Sequence, residues 1–461
     1  MLHGVNRLAA GATGNPTASH KRCRRLAHGP DAGSSFRIGH RQVRLDHAPF
    51  LIGQIAFVSG ALRLCCFLVI GVQGAIPGLV SARRGITSTA TTQPNMRAKY
   101  TSDASRYVPA LTGIRALAAL LVLGMHTEQN VPAGLDSLLP FFARGYLGVD
   151  FFFVLSGFII THVYLASLAS PNFSAAQIFL WHRLIRLYPV HITVLAGLVA
   201  IISFVGAAGF ALNNPQEWKW NDLLWQLTLL HAWGVTRSPG WNAPSWSISA
   251  EWFAYLLFPV LAPTLMWVRE RGIALLIGLA ALAAMALLFA MANWTLNTWV
   301  GVPALTRVFG EFLCGAAFCR AVALSHELPL PRADLLGTGA FLAFLFGASG
   351  GLQDFALVTL LALTILGTAM SGGYWARILS SRPFVWLGEV SYSVYLVHFP
   401  ILIVIRRLWE RLGFAEWQPA GKIFAFLATV VLVVGLAAML FYIVERPARA
   451  RLRDQMGRFA P

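Results

Sequence analysis

Two basic side chains stand eleven residues apart in Leu111-Thr-Gly-Ile-Arg115-Ala-Leu-Ala-Ala-Leu-Leu-Val-Leu-Gly-Met-His126. Eleven residues are three helical turns, so Arg115 and His126 share one helix face about 16 Å apart along its axis. They are too far apart to touch. The spacing sets a cation near one end of a groove and an imidazole deep along it, as a general base or as a histidine satisfied by water or a carbonyl. A second run, Gly145-Tyr-Leu-Gly-Val-Asp150-Phe-Phe-Phe-Val-Leu-Ser-Gly-Phe158, carries an acid into apolar company. An unpaired carboxylate is costly there. Asp150 either caps the helix start or hydrogen-bonds His126, fixing its tautomer and strengthening its free nitrogen as a base.

Arg183 and Arg186 follow in Trp-His-Arg183-Leu-Ile-Arg186-Leu-Tyr-Pro189. Their i, i+3 spacing puts both guanidinium groups on one helix face, suited to bidentate phosphate binding or to anchoring on lipid headgroups. Glu251 stands in Trp246-Ser-Ile-Ser249-Ala-Glu251-Trp-Phe-Ala-Tyr255, where it could orient the histidine or contact a hydroxylated substrate. The Trp246 and Ser249 side chains suit a sugar, although Trp is enriched at membrane interfaces in any case. His398, in Ser391-Tyr-Ser-Val-Tyr395-Leu-Val-His398-Phe-Pro400, is a second intramembrane imidazole, for substrate contact or for helix packing. No Gly-rich phosphate loop, metal-ligand cluster or nucleophile elbow is present.

The elements that position these groups are membrane helices. Of 461 residues, 57% are hydrophobic and 12% charged, against about 25% charged in soluble domains. That excludes a water-soluble enzyme and argues against a disordered or nucleic-acid-binding chain, despite the formal charge of +17. Apolar runs near the roughly 20-residue bilayer span fall at about 110–127, 146–166, 189–208, 246–268, 272–291, 303–323, 334–349, 354–371, 390–408 and 421–444. The fold class is therefore an all-α polytopic membrane protein of about ten spans. The shorter run 223–233 reads as re-entrant or interfacial. Ten spans with both termini cytoplasmic put the Arg and Lys clusters inside, except Arg406, Arg407 and Arg411, which fall outside with Glu410.

Residues 1–95 differ from the rest. Their 11 basic and two acidic residues give a net +9, leaving +8 for the other 366. The segment is expected to be a disordered or untranslated basic extension, with the natural start at Met96. Three of the five cysteines (Cys23, Cys65, Cys66) lie there, and Cys314 and Cys319 lack metal-ligand neighbours.

Taken in order, these motifs resemble the acyltransferase-3 family of bacterial inner-membrane acyltransferases. The matching residues are Leu111 to Arg115 with His126, Gly148-Val149-Asp150 to Gly157-Phe158, and Arg183 and Arg186 with Tyr188-Pro189. Trp246 to Glu251 with Pro259, and Ser391-Tyr392 to His398-Phe399-Pro400, complete the series. The resemblance implies a domain over residues 107–446, a basic cytoplasmic tail at 447–461, and a stand-alone form without an appended esterase-like domain. It also implies transfer of an acyl group, usually acetyl from acetyl-CoA, to a carbohydrate or glycolipid hydroxyl, as in surface-polysaccharide O-acetylation. Acyl-CoA is then a co-substrate, with no permanently bound cofactor.

In the mechanism expected on this basis, Arg183 and Arg186 hold the CoA phosphates and Arg115 lies along the pantetheine route. His126, oriented by Asp150 or Glu251, deprotonates the acceptor. The alternatives are a non-carbohydrate acceptor, or a secondary transporter of a polar solute or lipid-linked sugar. The repeat symmetry common in transporters is not evident here.

Overall fold

The computed structural model describes residues 108–135, 139–209, 215–325 and 332–459. The basic segment 1–95, the start at Met96, and Cys23, Cys65 and Cys66 lie outside them. Among the described residues the chain is helical and contains no strand. Ten long helices follow one another: α1 (Pro109–Asn130), α2 (Gly148–Tyr164), α3 (Phe173–Ala207), α4 (Trp246–Trp267), α5 (Arg271–Ala292), α6 (Val302–Ala323), α7 (Ala333–Ser349), α8 (Asp354–Met370), α9 (Arg382–Arg411) and α10 (Pro419–Leu440). A polar helix, α11 (Arg446–Phe459), ends the described chain. Among the described residues, eight helical segments are long and apolar enough to cross a membrane, and the apolar α7 and α8 have 17 residues each. The molecule is an all-α polytopic membrane protein.

Two helices begin earlier than their hydropathy suggests. The span expected from Pro189 starts at Phe173, capped by the Asn172 side chain, and runs 35 residues straight through that proline. Its first half carries His182, Arg183 and Arg186, which lower the local hydropathy without breaking the helix. A proline removes one helical hydrogen bond, a loss that transmembrane helices absorb through their neighbours. Likewise α9 starts at Arg382 rather than near 390.

Close packing of small residues joins the helices, because between apolar helices in lipid the attraction is van der Waals contact. A β-carbon at Gly157 would lie 2.0 Å from the Phe312 carbonyl oxygen, and one at Gly315 1.8 Å from that of Val154. Only hydrogen fits at either site, so α2 and α6 cross backbone to backbone. Gly388 does the same for α9 against α1, 1.9 Å from the Thr112 carbonyl oxygen. These two crossings bring the motif-bearing helices together.

The run at 223–233 does not cross. It forms a short helix, Leu223–Leu227, and a turn, His231–Val235, both returning towards α4. Ser249 pins it: its hydroxyl donates to the Leu229 carbonyl (2.7 Å) and accepts from the Ala232 amide (3.0 Å). The Trp233 indole donates to the Ser249 carbonyl (2.9 Å). Asn242 donates to the Leu396 carbonyl (3.1 Å), and Ser247 to the Tyr395 hydroxyl (2.8 Å). The start of α4 therefore lies level with the middle of α9.

Candidate active site

Helical periodicity decides which side chains meet at the centre. On α4, Ser247, Glu251 and Tyr255 recur every fourth residue and face a cavity of about 140 Å³. Phe152 and Ser156 face it from α2, Arg183 and Arg186 from α3, Tyr392 and Tyr395 from α9, and Arg115 from α1. Five helices thus bring three guanidinium groups and one carboxyl to a single cavity inside the bundle. The shared face expected for Arg183 and Arg186 is the one that lines it.

Aromatic rings and hydroxyls hold these charges. The Arg183 guanidinium sits 5.0 Å over the Tyr164 ring and donates from Nη2 to the Tyr164 hydroxyl (3.0 Å), while its Nε is buried without a hydrogen-bond partner. Arg186 lies 4.9 Å over the Tyr392 ring and pairs with Glu445. Glu251 is within hydrogen-bond reach of Tyr255, whose hydroxyl lies 3.3 Å from Ser156 Oγ.

His126 stands farther along α1, where its ring centroid is 5.1 Å from that of His398 on α9. The expected Arg115–His126 axis is present, and the second imidazole joins its far end. His398 Nδ1 donates to the Tyr395 carbonyl (2.6 Å), leaving Nε2 as the acceptor nitrogen, buried and without a partner. His126 Nδ1 lies 3.2 Å from Gln129 Oε1, which leaves its own Nε2 available. Tyr395 lines the cavity and stacks towards His398, with centroids 5.8 Å apart. It forms the partition between the arginine cavity and the histidine pair.

Three sequence expectations are corrected. Asp150 does not reach His126. It takes Arg307 Nε (2.8 Å) and Nη2 (2.5 Å) in a bidentate pair that is fully buried. Glu251 faces the arginines and Tyr255, so Gln129 rather than a carboxylate is the hydrogen-bond partner of His126. Trp246 and Ser249 turn away from the cavity, one beneath the Arg307 guanidinium (5.2 Å) and the other on the backbone of the 229–233 segment. The helical period explains this, since it places Ser247 and Glu251, not Trp246 and Ser249, on the inward face.

A family model described as an acyltransferase domain matches residues 108–442. The chain belongs to the acyltransferase-3 family. Its relatives include the peptidoglycan O-acetyltransferase OatA of Listeria monocytogenes, 26% identical over 378 residues, covering 75% of this chain and 56% of the relative. YrhL of Bacillus subtilis is 26% identical over 378 residues, covering 75% and 55%. The acyltransferase MdmB of Streptomyces mycarofaciens is 28% identical over 374 residues, covering 74% and 91%. The chain thus spans little more than half the length of OatA and YrhL. No solved structure matches it.

Membership gives the glycine motif of this acyltransferase-3 chain a physical sense, because Gly157 is the point at which α2 meets α6. Four residues outside the sequence candidates are tied to them by ion pairs. Arg307 and Glu311 complete the buried charge group around Asp150, and Glu445 and Arg449 complete the one around Arg186. The rule that singles out Asp150, an ionisable group within an apolar run, picks out Arg307 and Glu311 as well. Glu445 and Arg449 carry no such signal, because they stand in a charged stretch at the end of the last span.

Proposed function

We propose that this protein is a multi-pass O-acyltransferase of the bacterial cytoplasmic membrane. It moves an acyl group, acetyl above all, from acyl-CoA to a hydroxyl of a carbohydrate or glycolipid. The observation that carries the reading is the convergence of Arg115, Arg183 and Arg186 on one cavity, where Arg183 keeps a buried N–H without a partner. Three guanidinium groups facing a cavity lined by a single carboxyl, Glu251, suit an anionic ligand, and guanidinium groups match phosphate geometry. The name of the Listeria relative, a peptidoglycan O-acetyltransferase, supports a cell-envelope carbohydrate as acceptor.

In this reading Arg183 and Arg186 hold the donor's phosphates and Arg115 lines the route of its arm towards Tyr395. His126 Nε2 takes the proton of the acceptor hydroxyl as the oxygen attacks the thioester carbonyl. The C–O bond forms, the C–S bond breaks, and the proton is returned to the departing thiolate, so His126 ends neutral. Gln129 holds the His126 tautomer, and His398 supplies a second acceptor nitrogen beside the reacting hydroxyl.

The test uses membranes from cells with and without the full chain, given acetyl-CoA labelled in the acetyl group. Label should appear as base-labile ester in a carbohydrate or glycolipid fraction only where the chain is present. If no ester fraction is labelled, the enzyme reading fails. A solute flux dependent on the chain would then favour a transporter.

A further inference from the structure

Glu445 lies at the turn Phe441–Glu445 that links α10 to α11, and its side chain is fully buried. One of its oxygens, Oε1, accepts from two arginines at once: Nη1 of Arg186 and Nη1 of Arg449 (3.3 Å). The other, Oε2, accepts from Ser393 Oγ (2.7 Å). The carboxylate thereby docks two guanidinium groups side by side and takes one N–H from each. Each guanidinium has five.

Arg449 is also within electrostatic range of Arg115 and Arg183. Three arginines from α1 and α3 line the cavity, and Arg449 on α11 joins Arg186 through their shared partner Glu445. The two differ in depth. The Arg449 side chain is 28% exposed and that of Arg186 15%. Arg449 also stands on a polar helix beyond the last apolar span. A donor that threads its thioester inwards leaves the far end of its nucleotide at this rim. In acyl-CoA the phosphate on that end is the ribose 3′-phosphate.

We propose that Arg186 and Arg449, held together by Glu445, form a clamp at the cavity mouth for the 3′-phosphate of the donor nucleotide. The inference rests on the acyl-CoA reading of the cavity and adds a specificity residue to it. A carboxylate that fixes two guanidinium groups at one spacing presets the donors for a phosphate, which pairs with arginine in the bidentate manner.

The experiment compares acetyl-CoA with acetyl-3′-dephospho-CoA in membranes carrying the full chain. Wild type should prefer acetyl-CoA by about tenfold or more in kcat/KM, the scale of one charge-assisted hydrogen-bond pair, with the difference in KM. Arg449→Gln should bring the ratio of the two donors close to one, and Arg449→Lys should retain part of the preference. Glu445→Gln, which leaves the arginines unheld, should lower the ratio too. The ratio does not depend on how much enzyme is folded. A wild type without preference, or an Arg449→Gln variant that keeps the full preference, overturns the clamp while leaving the acyl-CoA reading standing. Failure of wild type to use either donor removes both.

Discussion

At the scale of single residues, the proposed chemistry is divided between arginines that would bind phosphate and a histidine that would transfer the proton. His126→Ala should reduce transfer by about 10²–10⁴-fold, the usual contribution of a general base, while the protein still accumulates in membranes. Retained activity in a labelled-acetyl assay would sink that role. The buried Asp150–Arg307 pair calls for a different experiment. Breaking a buried pair costs about 3–5 kcal/mol, because one charge is left uncompensated, whereas replacing both partners with apolar residues is often tolerated. Arg307→Gln and Asp150→Asn should each lower the melting temperature of the detergent-solubilised protein, and Asp150→Leu with Arg307→Met should recover much of the loss. If the double variant melts as low as the singles, the pair does more than hold helices together. Both oxygens of the neighbouring Glu311 lack a hydrogen-bond donor. Glu311→Gln should therefore leave the protein at least as stable as wild type. What the sequence revealed at this scale was residue type: Arg115, Arg183, Arg186 and Glu251 all reach the cavity. Pairing was hidden, because Asp150 finds its partner 157 positions away, on a helix whose register against α2 no local spacing encodes.

Among the elements, the spans were legible because each is a long apolar run, and hydropathy needs no partner to be read. The start of α3 was not, since a helix half in and half out of the apolar layer has no hydropathy signature. The glycines were visible as a motif but not as a contact. Gly157 and Gly315 each face a backbone carbonyl at a distance that only hydrogen tolerates. Gly157→Leu should push α2 from α6, separate Asp150 from Arg307, and yield little monodisperse protein by size-exclusion chromatography after detergent extraction. A normal elution profile and melting temperature would mean that the helices can slide apart without cost. Ser249 plays the matching part for the 223–235 segment. Ser249→Ala leaves the Ala232 amide without its acceptor, at a cost of about 1–3 kcal/mol. It should lower thermal stability, with activity falling only as folded enzyme is lost. A fall in kcat at unchanged stability would instead return Ser249 to the substrate site.

For the whole molecule, the even number of long helices puts the start of α1 and the end of α10 at the same face, which is why Arg115 and Arg449 come within range of each other. In the proposed orientation, which follows the positive-inside rule, that face is the cytoplasmic one, where acyl-CoA is made. The arginines that break the rule are partly neutralised. Arg406 and Arg407 both donate to Glu410 (2.8 and 3.1 Å) near the opposite end of α9, which weakens their claim on the inner surface. Orientation and donor are therefore one question. In a background with all five cysteines replaced by serine, Ala415→Cys, beyond α9, should react with a membrane-impermeant maleimide on intact cells, and Ala450→Cys, on α11, only after permeabilisation. Both positions are exposed in the structure. The reverse pattern would open the arginine cavity to the outside, where no acyl-CoA pool exists, and the same buried cations would then need a different anion.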